Sequence, residues 1–152
     1  MKTFKDAIIK GRRDPVFFSE YFCGIKPFPG QADWLTKGLQ ARERTLATGN
    51  RYGKSTIAGV RRAWKTFYKI RDPQFDYLSN YVSVCLSITL DQAQLVWKVC
   101  ERLFLDRPQL RWALKSEPIH KPYPLIRLGN GGEIWARSTD QSKNLWGHRW
   151  DD

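Results

Sequence analysis

Residues 48–56 read Thr48-Gly49-Asn50-Arg51-Tyr52-Gly53-Lys54-Ser55-Thr56, and this stretch decides the fold. Before it stands ERTLAT (43–48), a short strand candidate. After it comes STIAGVRRAWKTFYKI (55–70), where Ile57, Val60, Ala63, Trp64 and Phe67 recur at helical spacing on one face. A polar, glycine-bearing loop between strand and helix is the setting of a phosphate loop. Glycines let main-chain N–H groups turn inward around phosphate oxygens, and the helix N-terminus adds partial positive charge. In that reading the whole of 48–56 surrounds the phosphates. Lys54 reaches the β- and γ-phosphates, and Ser55 places its hydroxyl on Mg2+. The match to G-x-x-x-x-G-K-[ST] is imperfect: Thr48 holds the first glycine position, so Gly49 has to relieve the turn. Arg51, inside the loop, either contacts the γ-phosphate or pairs with a carboxylate outside it. The competing reading is an ordinary glycine-containing loop with a surface lysine.

On the N-terminal side, residues 3–11 suit a short amphipathic helix with Phe4, Ala7 and Ile8 on one side. Asp14-Pro15 is a cap followed by proline at the first helical position, so VFFSEYFC should be helical up to Gly24. A turn-rich IKPFPGQ leads to another predicted helix over 31–40, with Trp34 and Leu35 toward the core. On the C-terminal side, YVSVCL (81–86) is an almost continuously apolar strand. A helix follows, capped by Thr89 or Asp91 and ending before Arg107-Pro108. PLIRL (124–128), GNGG and EIWARS (133–138) form a β-hairpin, since Asn-Gly and Gly-Gly supply positive φ. TDQSKNLWGHRWDD (139–152) has no regular period. Alternating strands and helices predict an α/β fold, a largely parallel sheet flanked by helices with one antiparallel hairpin.

The chain has 152 residues, 41% hydrophobic, which suffices for one packed domain. Twenty-six Lys and Arg against 15 Asp and Glu give a charge of +11. A domain this basic attracts polyanions: nucleic acid first, an anionic membrane surface second, or the charge merely solvates the surface. Cys23, Cys85 and Cys100 are far apart and form no CxxC pair, so they read as three buried thiols in a reducing compartment. His120 and His148 stand alone, and no serine sits in a G-x-S-x-G frame. No apolar run approaches the ~20 residues that span a bilayer.

GNRYGKST (49–56) resembles the arginine-bearing Walker A loop of tailed-phage large terminases, the ATPases that drive DNA into capsids. FPGQADWL (28–35) is similar to that family's adenine motif, with Gln31 as base reader; the alternative is a solvent-facing helix residue. GGEIWARSTDQSKNLWGHRWDD (131–152) resembles the stretch leading into Walker B. The resemblance runs from about Pro15 onward. It implies a P-loop NTPase of the RecA-like ASCE class, with residues 1–30 as a helical lead-in and 31–152 as an incomplete ATPase domain. It implies ATP and Mg2+ as cofactors, held by Gln31 and by 48–56, with Lys54 and Arg51 catalytic. It further implies double-stranded DNA, a portal protein and a small terminase subunit as partners, a homo-oligomeric ring, no membrane, and the cytoplasm of a bacterial host.

One departure stands out. Walker B is an apolar strand ending in Asp-Glu, yet Asp151 and Asp152 follow Gly147-His148-Arg149-Trp150. By the family pattern that strand, the coupling motif and the nuclease domain are expected beyond Asp152, so these residues are expected to bind nucleotide weakly at best and to turn it over negligibly. Asp140, Lys143 and Arg149 either contact nucleotide or DNA or merely solvate a loop. A superfamily-2 helicase, which also carries a glutamine upstream of its phosphate loop, and a non-enzymatic basic nucleic-acid binder are the other function classes compatible with the sequence.

Overall fold

The computed structural model describes residues 3–37, 45–47, 49, 51–71 and 80–139. Helix α1 (Phe4–Arg13) is closed by a reciprocal cap: the Thr3 hydroxyl accepts from Asp6 N–H, and the Asp6 carboxylate accepts from Thr3 N–H. Helix α2 (Pro15–Phe17) starts where Asp14-Pro15 predicts, with Asp14 Oδ1 accepting from Val16 and Phe17 N–H at 3.0 and 2.9 Å. It then widens into a π turn over Phe18–Phe22, where an α-helix was expected. Cys23 N–H there reaches back to the Phe18 carbonyl at 3.2 Å. Phe18 and Phe22 stack at 5.2 Å and both meet Phe67 at 5.9 Å. Gly24, at φ +65°, ends the segment, and the Arg107 guanidinium fills the space its missing Cβ leaves.

Helix α3 spans Pro29–Thr36, two residues earlier than the sequence suggests at its start, and residues 38–40 lie outside the described ones. Helix α4 is Lys54–Tyr68, strand β1 Tyr81–Ser87, helix α5 Leu90–Asp106 and α6 Pro108–Arg111. Of the two candidate caps of α5, Thr89 takes the position, accepting from Gln92 N–H. Strands β2 (Leu125–Arg127) and β3 (Gly132–Ser138) make the expected hairpin.

The sheet has the order β1-β3-β2. β1 runs parallel to β3 from Tyr81 opposite Gly132 to Ser87 opposite Ser138, and β2 runs antiparallel to β3. The fold is α/β, and the described sheet is small and mixed, with one parallel pair and the antiparallel hairpin. The strand predicted over 43–48 is not seen: Thr45, Leu46 and Ala47 adopt no regular structure, and the other three residues lie outside the described ones. A strand exists through its neighbour, and among the described residues nothing pairs with 45–47.

The five apolar positions read from the sequence of α4 are all buried. They share one core with Ala7, Phe18 and Phe22 of the lead-in, with Trp97 and Cys100 of α5, and with Ile134 and Ala136 of β3. Two indoles fix its geometry. Trp64 donates to the Gly11 carbonyl at 2.8 Å, and Trp97 to the Ile134 carbonyl at 3.2 Å, so each buried N–H is satisfied. Helices α4 and α5 touch at Gly59, where a Cβ would come within 2.5 Å of Val99 Cγ1. Asn130 ties the hairpin turn to the end of α4: its Nδ2 donates to the Phe67 carbonyl at 2.8 Å, and its Oδ1 accepts from Gly132 N–H at 2.8 Å. Cys23, Cys85 and Cys100 are free and buried, and burial pushes the Cys23 and Cys100 thiols well above their ordinary range. No helix among the described residues is long and apolar enough to cross a membrane.

Candidate phosphate-binding site

Gly53 sits at the N-cap of α4 in the left-handed region, φ +75° and ψ +29°, and its carbonyl accepts the first helical bond from Ile57 N–H at 3.0 Å. Arg51, two residues earlier, is also left-handed at φ +63°. A β-carbon in that region costs about 1–2 kcal/mol, and Lys69, at the other end of α4, is held the same way at φ +49°. The chain thus enters the helix through two left-handed residues.

Among the described residues, that end of α4 has no side-chain cap. Thr3, Asp14 and Thr89 cap α1, α2 and α5 through their side chains. Among the described residues no side chain caps α4, a property it shares with α6, and its first turn carries no acidic residue. The N–H groups of that turn point along the axis where an anion is favoured. Lys54 folds back over the loop, Nζ donating to the Gly49 carbonyl at 2.9 Å. Ser55 is exposed and Thr56 half-buried. Arg51 is exposed, and among the described residues no carboxylate pairs with it. Thr48 and Asn50 lie outside the described residues, as do Asp140, Lys143, His148, Arg149, Asp151 and Asp152.

Gln31 is brought to the loop in a way the sequence did not anticipate. It is 5% exposed, so it is no solvent-facing helix residue. Its Oε1 accepts from Phe28 N–H at 3.0 Å, and its Nε2 donates to the Tyr52 carbonyl at 2.6 Å. The amide therefore latches the start of α3 to the loop one residue before Gly53. Gly30 makes room for this contact, since a Cβ there would meet the Tyr52 hydroxyl at 2.4 Å. Phe28, exposed at 62%, lies with its ring 6.2 Å from that of Tyr52. Of the residues singled out in the sequence, Gln31, Gly49, Arg51, Tyr52, Gly53, Lys54, Ser55 and Thr56 thus stand around one loop.

Away from the loop, Arg137 is a buried guanidinium that no motif announced. It lies 4.0 Å from the Tyr123 ring and 4.1 Å from the Trp135 ring, and burial lowers its pKa from the usual arginine value. Only the even alternation of EIWARS hinted that Trp135 and Arg137 share a face. A cleft of about 390 Å3 at the hairpin turn, bordered by Lys115, Arg127 and Glu133, does not include the loop. His120 hydrogen-bonds Glu101 at 3.0 Å.

No family model matches the chain, and no curated protein matches it.

Proposed function

We propose that the chain binds ATP through the loop 49–56 and belongs to a nucleic-acid motor of the large-terminase type, which spends ATP to move double-stranded DNA. The observation that carries this reading is the N-terminus of α4, without a side-chain cap among the described residues and entered through left-handed Arg51 and Gly53, with the Lys54 ammonium lying over the loop. The residues present fit a polyphosphate with Mg2+. The N–H groups of the first turn and the Lys54 ammonium belong to one helix end, and the exposed Ser55 offers a hydroxyl one residue on. Mg2+, when bound, neutralises charge between neighbouring phosphates. Lys54 would turn from the Gly49 carbonyl to phosphate oxygens, and Arg51, exposed and facing no carboxylate among the described residues, would add a second cation. Gln31 supports this chemistry by holding the Tyr52 carbonyl, and so the approach to Gly53, in place. Base reading by Gln31 would have to use what capacity its amide has left after these two bonds.

The motor assignment rests on the resemblance of GNRYGKST and FPGQADWL to the terminase pattern. With it go the portal protein and small subunit as partners, a ring of copies, and the cytoplasm of a bacterial host. Binding of a fluorescent ATP analogue with Mg2+ by the 152-residue chain tests the nucleotide half. No binding by a sample with an intact circular-dichroism spectrum would overturn it and favour a plain basic nucleic-acid binder.

The charge of +11 bears on the DNA half. The chain is expected to bind double-stranded DNA without regard to sequence and to lose affinity steeply as salt rises. Each phosphate contact releases condensed counterions, so six contacts would cost about a thousandfold between 50 and 200 mM salt. Fluorescence anisotropy of two unrelated duplexes over that range measures it. A flat salt dependence, or no binding at 50 mM, would remove DNA from the partners.

A further inference from the structure

A groove of about 360 Å3 opens beside the first turn of α4, within the range of small-ligand pockets. Ile25, Val99 and Leu103 give it an apolar floor, and Thr56, Arg102 and Arg107 line it with polar groups. Thr56 stands two residues beyond Lys54, about 3 Å along the axis and about 200° around it, so the groove flanks the same helix end on the side opposite the Lys54 Cβ. We propose that this groove receives the nucleobase and ribose of the nucleotide whose phosphates the loop holds, a proposal that rests on the phosphate-loop reading.

Three features support that occupant. The apolar floor suits the flat face of a base, and a guanidinium can stack on that face or donate to the nitrogen and oxygen acceptors at its edge. Arg102 is exposed and, among the described residues, no carboxylate engages it, so its donors are available. Arg107 lies across Gly24, next to Ile25, and so walls the groove on the lead-in side. Asp106 also borders the groove. Its carboxylate repels phosphate, so a nucleotide enters with its phosphates toward the loop and its nucleoside toward α5. The segment from Gly24 to Gln31 then serves both ends of the ligand: Ile25 borders the groove, and Gln31 holds the loop. Base recognition passes from the latched Gln31 to Arg102 and the apolar floor.

The test compares ATP with inorganic tripolyphosphate, which has the phosphates and no nucleoside. Both compete against a fluorescent ATP analogue on the full chain. Wild type is expected to prefer ATP. Arg102→Ala should reduce that preference by about tenfold, the ratio for loss of one charge-assisted contact, and leave tripolyphosphate affinity within twofold. Ile25→Trp, which fills the groove, should act likewise, and Lys98→Ala, which removes an exposed charge from the same helix, should change neither. Equal affinity for the two ligands in wild type, or an ATP preference that survives both groove variants, would overturn the proposal and leave the loop standing. Should tripolyphosphate fail to bind, or bind Lys54→Ala as well as wild type, the phosphate-loop reading falls and the groove proposal with it.

Discussion

Lys54→Ala is expected to weaken binding of an ATP analogue by roughly ten- to 150-fold, the factor that corresponds to a charge-assisted hydrogen bond of about 1.5–3 kcal/mol. The Lys54 ammonium already donates to the Gly49 carbonyl, so binding exchanges an acceptor already held for an anionic one. The gain is the difference between them, which holds the figure below that of an isolated ion pair. Lys54→Arg keeps the charge but replaces a compact ammonium by a broader planar fork, and should recover only part of the affinity. Lys54 is half-exposed, so neither change should unfold the chain, and circular dichroism of the variants checks this. Equal affinity of Lys54→Ala and wild type would rule out the loop as a phosphate site.

Trp97→Ala should cost about 3–5 kcal/mol of stability, the range for removing a fully buried large aromatic. The Trp97 side chain is 0% exposed, and it also supplies the N–H that the buried Ile134 carbonyl accepts. The substitution leaves a cavity between α5 and the sheet and takes away that donor. Domains of this size have only about 5–15 kcal/mol in hand. Trp97→Phe keeps most of the volume and loses the indole bond, so it should cost about 1–3 kcal/mol. Urea titration of the two variants separates packing from hydrogen bonding. Similar losses for both would mean that the bond, not the volume, holds α5 on β3.

The elements that the sequence disclosed are those with local causes. Helix α4 follows from five apolar residues at helical spacing, α5 from a threonine cap and a proline stop, and the hairpin from Asn130-Gly131. What escaped depends on partners far along the chain. Gln31 latches onto a carbonyl 21 residues away, and Asn130 onto one 63 residues away. No local pattern marks either side chain for that use. The π turn over Phe18–Phe22 was hidden for a related reason: FFSEYF has the same composition whether its hydrogen bonds join residues four apart or five apart. Of the loop, Gly53 and Lys54 were legible from the motif. The left-handed backbone at Arg51 was not, because arginine has no preference for it. The groove beside Thr56 draws on residues from three separate segments, none of which carries a motif.

The burial of all three thiols has a practical consequence for labelling chemistry. Thiolate is the form that attacks a maleimide, and burial leaves Cys23 and Cys100 protonated and out of reach. The folded chain should therefore resist the reagent until denaturant is added, and a thiol count under the two conditions would disprove this if the folded chain reacted. A cysteine placed at exposed Lys98 on α5 would then be the one reactive position, without any of the native three having to be removed. A dye attached there would sit on the helix that borders the groove and report what enters it.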